Sequence, residues 1–91
     1  ATGDGVTEFS VGDKAACGLP PLGAYAQERV YPVETLIEVP EGIDDIALAG
    51  VLMKGMTARY LLKQTYAVQS GDTVLVHAAA GGIGLMARFR F

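Results

Sequence analysis

The sequence has few charged residues and no strongly basic segment. Charged residues make up 19% of its 91 residues, and the formal net charge at pH 7 is −3. No cluster of lysine and arginine precedes the last four residues. A protein that neutralises the phosphates of a nucleic acid needs a basic face. We therefore expect no nucleic-acid partner.

Cysteine and histidine are almost missing, since the chain has one of each, Cys17 and His77. A single cysteine excludes an internal disulfide and fits a reducing compartment. Together, one cysteine and one histidine cannot provide the ligand set of a zinc site. We expect Cys17 to be a small buried apolar residue and His77 to be packed and hydrogen-bonded.

Long apolar runs are also missing. None approaches the roughly 18 residues that a membrane helix needs. The opening residues, ATGDGVTEF, lack the basic and apolar regions of a signal peptide. These features predict a cytoplasmic protein without a membrane partner. The hydrophobic share of 51% is slightly above the usual range of about 45–50%, which indicates that some apolar surface is meant for a neighbour.

Glycine and proline divide the first forty residues into short segments typical of β structure. We expect strands at residues 14–17, 24–31 and 35–39, and Pro40 ends the third. Residues 18–23 would join the first two strands as a hairpin loop. The sequence shows no internal repeat.

After Pro40 the spacing of apolar residues becomes helical. Asp44 or Asp45 can cap the start of a helix, and Gly55 is expected to break it. A second helical run would bury Met56, Tyr60 and Leu61, and residues 69–72 form a turn. The apolar positions of the first run are Ile46, Leu48, Ala49, Leu52 and Met53.

The end of the chain carries the strongest functional signal. Residues 73–76 form an apolar segment without alternation, as in buried parallel strands. The pattern Ala78-x-x-Gly81-x-x-Gly84 that follows is a spacing variant of the dinucleotide-binding fingerprint. Such a loop leaves room for a pyrophosphate at a helix N-terminus. A small-residue turn that serves only close packing remains the alternative. A short helix would follow over residues 85–91, where Arg88 and Arg90 either contact a phosphate or form a solvated end.

Four segments carry a resemblance to a known family. They are FSVGDKA at residues 9–15, PLGAYAQ at 21–27, LMKGMTARYLL at 52–62 and SGDTVLVHAAAGGIG at 70–84. In these segments the chain resembles the zinc-free quinone oxidoreductases of the medium-chain dehydrogenase/reductase superfamily, the relatives of zeta-crystallin. The similarity covers nearly the whole chain in the right order, although family members are several times longer.

The resemblance implies an α+β or α/β fragment with three parts. Residues 1–42 would be part of a GroES-like β-barrel catalytic domain, and residues 43–72 a helical connection between domains. Residues 73–91 would begin a Rossmann domain that binds NADPH, with its first strand and its glycine loop.

The resemblance also implies a cofactor site and a substrate. The glycine loop would approach the pyrophosphate, and Thr57, at the start of a helix, would contact the nicotinamide end. Lys54 and Gly55 would shape the same turn. The implied cofactor-binding residues are Lys54, Gly55, Thr57, Gly81, Gly82, Ile83 and Gly84. The substrate would be a quinone, no residue is assigned as a catalytic acid or base, and a homo-oligomer is expected.

Three functions follow as hypotheses. The first is a segment of an NADPH-dependent quinone oxidoreductase, with the 91-residue chain itself inactive. The second is a non-catalytic β-rich fragment that self-associates through exposed apolar surface. The third is nucleotide binding without reduction.

Overall fold

The structure, a computed structural model, describes residues 1–88 as an α+β arrangement of short elements. It divides into two compact units, the first spanning Ala1–Ile43 and the second beginning at Asp44. The elements in chain order are β1 (Ala15–Ala16), a 3₁₀ turn (Val33–Thr35), β2 (Ile37–Glu38), α1 (Asp45–Tyr60), a π turn (Leu61–Thr65) and α2 (Gly82–Arg88). Within the described residues, no helix is long and apolar enough to cross a membrane.

The first unit contains a minimal antiparallel pair of strands. Ala15 lies opposite Glu38, and Ala16 lies opposite Ile37. One further hydrogen bond, from the Val39 N–H to the Lys14 carbonyl at 3.2 Å, extends the pairing. The strands expected at residues 14–17 and 35–39 are therefore present but shorter.

The strand expected at residues 24–31 is wrong, and residues 18–23 are not a hairpin loop. Strand β1 pairs with β2 instead, and side chains hold the intervening segment. The Tyr31 hydroxyl donates to the Leu19 carbonyl at 2.6 Å. The Arg29 guanidinium lies 4.2 Å from the centre of the Tyr31 ring. These contacts form an irregular loop, because alternation of side chains makes a strand only where a neighbouring strand accepts its hydrogen bonds.

Cys17 belongs to the same loop, and the expectation that it is buried is wrong. It is exposed, with its sulfur 3.5 Å from the Arg29 guanidinium. The polar neighbour explains its position, since a thiol accepts weak hydrogen bonds as well as packing among apolar groups.

Helix α1 opens the second unit with a side-chain cap. The Asp44 carboxylate accepts from the Ala47 N–H at 2.8 Å, so the cap is Asp44 and not Asp45. The predicted break at Gly55 is wrong, because α1 continues through it to Tyr60. A glycine inside a helix lowers the stability of the helix by only about 1 kcal/mol relative to alanine, and the helical turns before and after Gly55 offset this cost. The π turn then ends the helix, with the Tyr66 N–H donating to the Leu61 carbonyl at 3.3 Å.

The core of the second unit lies where α1 contacts α2. Ala58 and Ala87 are 5% and 7% exposed. The larger apolar residues expected on the buried face of α1 remain accessible, including Ile46 at 83% exposure. Tyr60 and Leu61, also expected to be buried, are exposed. The seven residues of α2 cover only one part of α1. Which residues of α1 are buried therefore depends on their contact with α2 more than on the helical spacing of apolar residues.

Residues 72–76 lead from the π turn toward α2 without regular secondary structure. Nothing in residues 1–88 pairs with this segment as a strand. Leu75 is 82% exposed. The buried strand expected at residues 73–76 is therefore wrong for this structure, because a strand buried on both faces requires neighbours on both.

Candidate functional site: the glycine loop and its groove

The glycine loop is a tight turn that leads directly into α2. Residues 77–80 form the turn, and the Gly81 N–H donates to the Ala78 carbonyl at 2.8 Å. Ala78 has a φ of 50°, a left-handed conformation that is uncommon for a residue with a side chain. The Leu85 N–H donates to the Gly81 carbonyl at 2.8 Å. Helix α2 therefore begins at Gly82, three residues before the expected start at Leu85.

Gly84 allows α2 to lie on the loop that precedes it. Gly84 is buried, and a Cβ added there would lie 2.6 Å from both Cα and the carbonyl oxygen of Ala79. Those are backbone atoms, which cannot turn aside as a side chain can. Gly84, the last glycine of the fingerprint, thus has a packing role, as the general dinucleotide-binding fingerprint assigns to its last glycine.

Gly82 contacts helix α1 through Lys54. A Cβ added at Gly82 would lie 2.6 Å from Cε of Lys54 and would also overlap its Cδ. The Lys54 ammonium donates to the Gly50 carbonyl, one helical turn earlier. The aliphatic part of Lys54 therefore lies across the position where a side chain at residue 82 would begin.

The space beside Gly81 is also small for a side chain, but less restricted than the space beside Gly82 or Gly84. A Cβ added there would lie 3.1 Å from the Ala78 carbonyl oxygen, so the loop would have to yield slightly. Ile83, the remaining residue of the implied loop site, is exposed and lies among the residues lining the groove described below.

Thr57 does not stand at the start of a helix, as the resemblance implied. It lies within α1, half-buried, and its hydroxyl donates to the Met53 carbonyl at 2.8 Å. Gly55 lies in the same continuous helix. The structure brings Lys54 together with residues 81–84 around one groove, and neither Gly55 nor Thr57 lines that groove.

The groove has a volume of about 870 Å³, within the range of roughly 300–1,000 Å³ typical of small-molecule sites. Most of its lining is apolar, as in such sites. Its polar members include Lys54, Asp72, Thr73 and His77. The other lining residues are Ala58, Leu61, Leu62, Tyr66, Val68, Val74, Leu75, Val76, Ala78, residues 81–84 and Ala87.

The groove residues that sequence reasoning missed include Leu62, Tyr66 and Val68. The π turn places them there, since the Val68 N–H donates to the Leu62 carbonyl at 3.2 Å and reverses the chain. No sequence signal marks a π turn. The run of apolar residues on either side of Lys63 and Gln64 was the available hint.

Of two basic residues near the loop, only His77 differs from its expected role. His77 was expected to be packed, but it is exposed and lines the groove. Arg88 is the exposed last residue of α2, which agrees with the solvated end that was one of its two expected roles. Arg90, and the part of the expected helix over residues 89–91, lie outside the described residues.

The second unit thus has a glycine loop beside an apolar groove. Comparison with known proteins shows which proteins the chain is related to. No family model matches the chain. It is 61% identical over 84 residues to a 2-haloacrylate reductase from Burkholderia sp, covering 90% of this chain and 25% of that protein. It is 51% identical over 87 residues to a quinone oxidoreductase from Pseudomonas aeruginosa, covering 96% and 27%.

A solved structure agrees. The quinone oxidoreductase of Pseudomonas syringae pv. Tomato DC3000 matches with a TM-score of 0.87 and 46% identity over 96% of this chain and 27% of that one. The resemblance drawn from the sequence is confirmed: the chain is a relative of the quinone oxidoreductases. It spans about a quarter of the length of these relatives.

Proposed function

We propose that the chain is a segment of an NADPH-dependent quinone oxidoreductase, in which NADPH passes a hydride to a quinone. The observation that carries the proposal is the match to the P. syringae quinone oxidoreductase, at a TM-score of 0.87 over 96% of the chain. The match extends over most of both units. It supports a shared architecture more strongly than sequence identity alone would.

The proposal includes the assignment of the three parts to domains. Residues 1–42 would belong to the GroES-like catalytic domain, 43–72 to the connection and 73–91 to the Rossmann domain. A division into units after Ile43 fits a change of domain role near this point. The apolar residues 73–76 would then pair with strands contributed by the rest of a Rossmann sheet.

The groove fits a nucleotide in its size and in its lining. The loop residues Gly81, Gly82, Ile83 and Gly84 form one wall, and the first N–H groups of a helix have no partner within it. Those groups would face the pyrophosphate of NADPH. When bound, NADPH supplies a hydride, and with one proton from solvent this reduces a quinone to a hydroquinone.

The chain's own residues would bind and desolvate the reactants. Lys54 contributes a positive charge at the loop, which favours an anionic ligand. Leu62, Tyr66 and Val68 line the groove and would shield bound reactants from water, which strengthens the charge interactions inside. No side chain of the described site is assigned a proton-transfer step, since positioning is the main task of a protein around a nicotinamide.

A second candidate substrate follows from the 61% identity to a 2-haloacrylate reductase. Quinones and 2-haloacrylates both contain an electron-poor carbon–carbon double bond conjugated to a carbonyl or carboxylate group. Hydride addition followed by protonation reduces either one. The two candidates therefore share the nucleotide half of the site and differ in what the substrate half must hold, a neutral ring or a small carboxylate.

The test uses the full-length protein as its gene encodes it. NADPH oxidation is followed by absorbance with 1,4-benzoquinone, with 2-chloroacrylate, and with each after replacing NADPH by NADH. We expect NADPH oxidation with the quinone. Faster turnover with 2-chloroacrylate would favour the second substrate. Binding of NADPH, seen by fluorescence, without oxidation in either assay would favour nucleotide binding alone, and no binding would contradict the proposal.

A further inference from the structure

Arg29 is a half-buried cation in the irregular loop of the first unit. Its guanidinium donates hydrogen bonds to two neutral groups, the Pro21 carbonyl and the Cys17 sulfur. Within residues 1–88 it forms no ion pair with a carboxylate. The positive charge of Arg29 is therefore not compensated by an acidic residue of this part of the chain, and it is available to an anionic ligand.

Three contacts hold the guanidinium in one orientation. Its Nη2 donates to the Pro21 carbonyl at 3.3 Å and to the Cys17 sulfur at 3.5 Å. The guanidinium carbon lies 4.2 Å from the centre of the Tyr31 ring, and the face of an aromatic ring attracts a cation. Because these contacts restrict the side chain before a ligand arrives, less conformational entropy is lost on binding.

The other side of the guanidinium has donors to spare. An arginine has five N–H groups, and both hydrogen bonds of Arg29 leave from Nη2. The N–H groups of Nη1 and Nε have no acceptor in the described part of the chain. Gly23 lies beside Nη1, since a Cβ added at Gly23 would lie 3.7 Å from that atom. The missing side chain at residue 23 thus leaves this side of the guanidinium open.

We propose that Arg29 binds the carboxylate of a small substrate acid, the chemical class to which 2-haloacrylates belong. The N–H groups of Nη1 and Nε donate to the carboxylate oxygens, while Nη2 and the Tyr31 ring keep the guanidinium in place. A planar set of charged donors suits a carboxylate, whereas a neutral quinone offers no charge for Arg29 to compensate. This role rests on the proposed function, in which residues 1–42 belong to the catalytic domain.

The test measures binding to the full-length protein by calorimetry with NADP⁺ present. The ligands are 2-chloropropionate, which is the saturated product of 2-chloroacrylate reduction, and its neutral analogue 2-chloropropionamide. The unsubstituted protein should bind the acid more tightly than the amide. Arg29→Gln should weaken acid binding about tenfold to a hundredfold, the usual effect of losing a hydrogen bond to a charged group. It should leave amide binding unchanged.

Two further variants separate ligand binding from a role in holding the loop. Arg29→Lys keeps the charge but loses the planar set of donors, so its acid binding should lie between those of the unsubstituted protein and Arg29→Gln. Arg59→Gln is the matched control, because it removes the same charge from an exposed position of α1. It should leave binding of both ligands unchanged, and weakening equal to that in Arg29→Gln would overturn the proposal.

Melting temperatures of the same variants complete the comparison. Weaker binding of acid and amide together, with a lower melting temperature, would show that Arg29 only holds the loop, and would overturn the proposal. If Arg29→Gln does not fold, Arg29→Lys decides by the same comparison of acid and amide.

The outcomes also separate this site from the function on which it rests. A protein that oxidises NADPH with 1,4-benzoquinone but does not bind 2-chloropropionate overturns the carboxylate site and leaves the proposed function intact. Binding of 2-chloropropionate that depends on Arg29, in a protein that does not bind NADPH, contradicts the proposed function and supports the site.

Discussion

Gly84 packs on the backbone of Ala79, with room for a hydrogen but not for a methyl group between them. An added Cβ would lie 2.6 Å from the Ala79 Cα and 2.8 Å from its carbonyl carbon. This contact lets α2 fold back on the turn that begins it. The contact supports the close-packing role of this small-residue turn, and its approach to a nucleotide stays a prediction.

Gly84→Ala should destabilise the protein by about 1–3 kcal/mol, as overpacking against a rigid neighbour does. Urea unfolding of the full-length protein gives the free energy. The control is Gly50→Ala, since Gly50 is exposed in α1 and nothing lies within 4 Å of its added Cβ. That control should be as stable as the parent or more so, by roughly 0.5–1 kcal/mol. Equal effects at the two positions would contradict the packing role of Gly84.

Gly55→Ala should stabilise the protein by about 1 kcal/mol, because Gly55 lies inside a continuous helix and alanine is the better helix former. Its added Cβ also meets nothing within 4 Å. Thermal unfolding and the KM for NADPH should be measured together. A loss of stability would indicate that the chain bends at Gly55, and a raised KM with normal stability would indicate direct nucleotide contact.

Asp44→Ala should cost about 1 kcal/mol by removing the cap at the start of α1. The lost interaction is the 2.8 Å hydrogen bond from the Ala47 N–H to the Asp44 carboxylate. Asp44→Ser retains an acceptor for that N–H and should recover most of the stability. If the serine variant is no more stable than the alanine variant in urea unfolding, the cap is not the source of the effect.

Tyr31→Phe should destabilise the protein by about 0.5–1.5 kcal/mol, the usual net value of a hydrogen bond. It removes the 2.6 Å bond to the Leu19 carbonyl and leaves a ring for Arg29 to stack on. Tyr25→Phe is the matched control, since the Tyr25 side chain is fully exposed. Equal stability of the two variants in thermal unfolding would show that the Tyr31 hydroxyl does not hold the loop.

The 91-residue chain alone should self-associate or be poorly ordered and should not reduce quinones. Residues 74–76 are apolar and exposed, with Leu75 at 82%, and an unpaired extended segment invites pairing with another chain. Light scattering at tens of micromolar with amide exchange tests this, and Leu75→Lys should reduce association. A well-protected monomer, or equal reduction by Leu22→Lys in the other unit, would contradict the prediction. The expected homo-oligomer of the full-length protein is tested by the same scattering measurement.

The sequence by itself determined the features that depend on a few neighbouring residues. The cap at Asp44 and the turn at residues 69–72 are both confirmed. In that turn, the Gln69 N–H donates to the Asp72 carboxylate at 2.8 Å, and Gly71 has a φ of 94° that favours glycine. The relationship to the quinone oxidoreductases was also readable, because it rests on the order of motifs along the chain.

Only the tertiary structure decided which contacts those elements make. The segments at 24–31 and 73–76 have apolar residues suited to strands, but a strand exists only where a partner accepts its hydrogen bonds, and β1 pairs with β2. The roles of the individual glycines could not be read from the sequence either. Gly55 lies inside a helix, Gly82 faces Lys54 and Gly84 faces Ala79. Because a glycine has no side chain, the structural requirement for it depends on the atoms that pack against it.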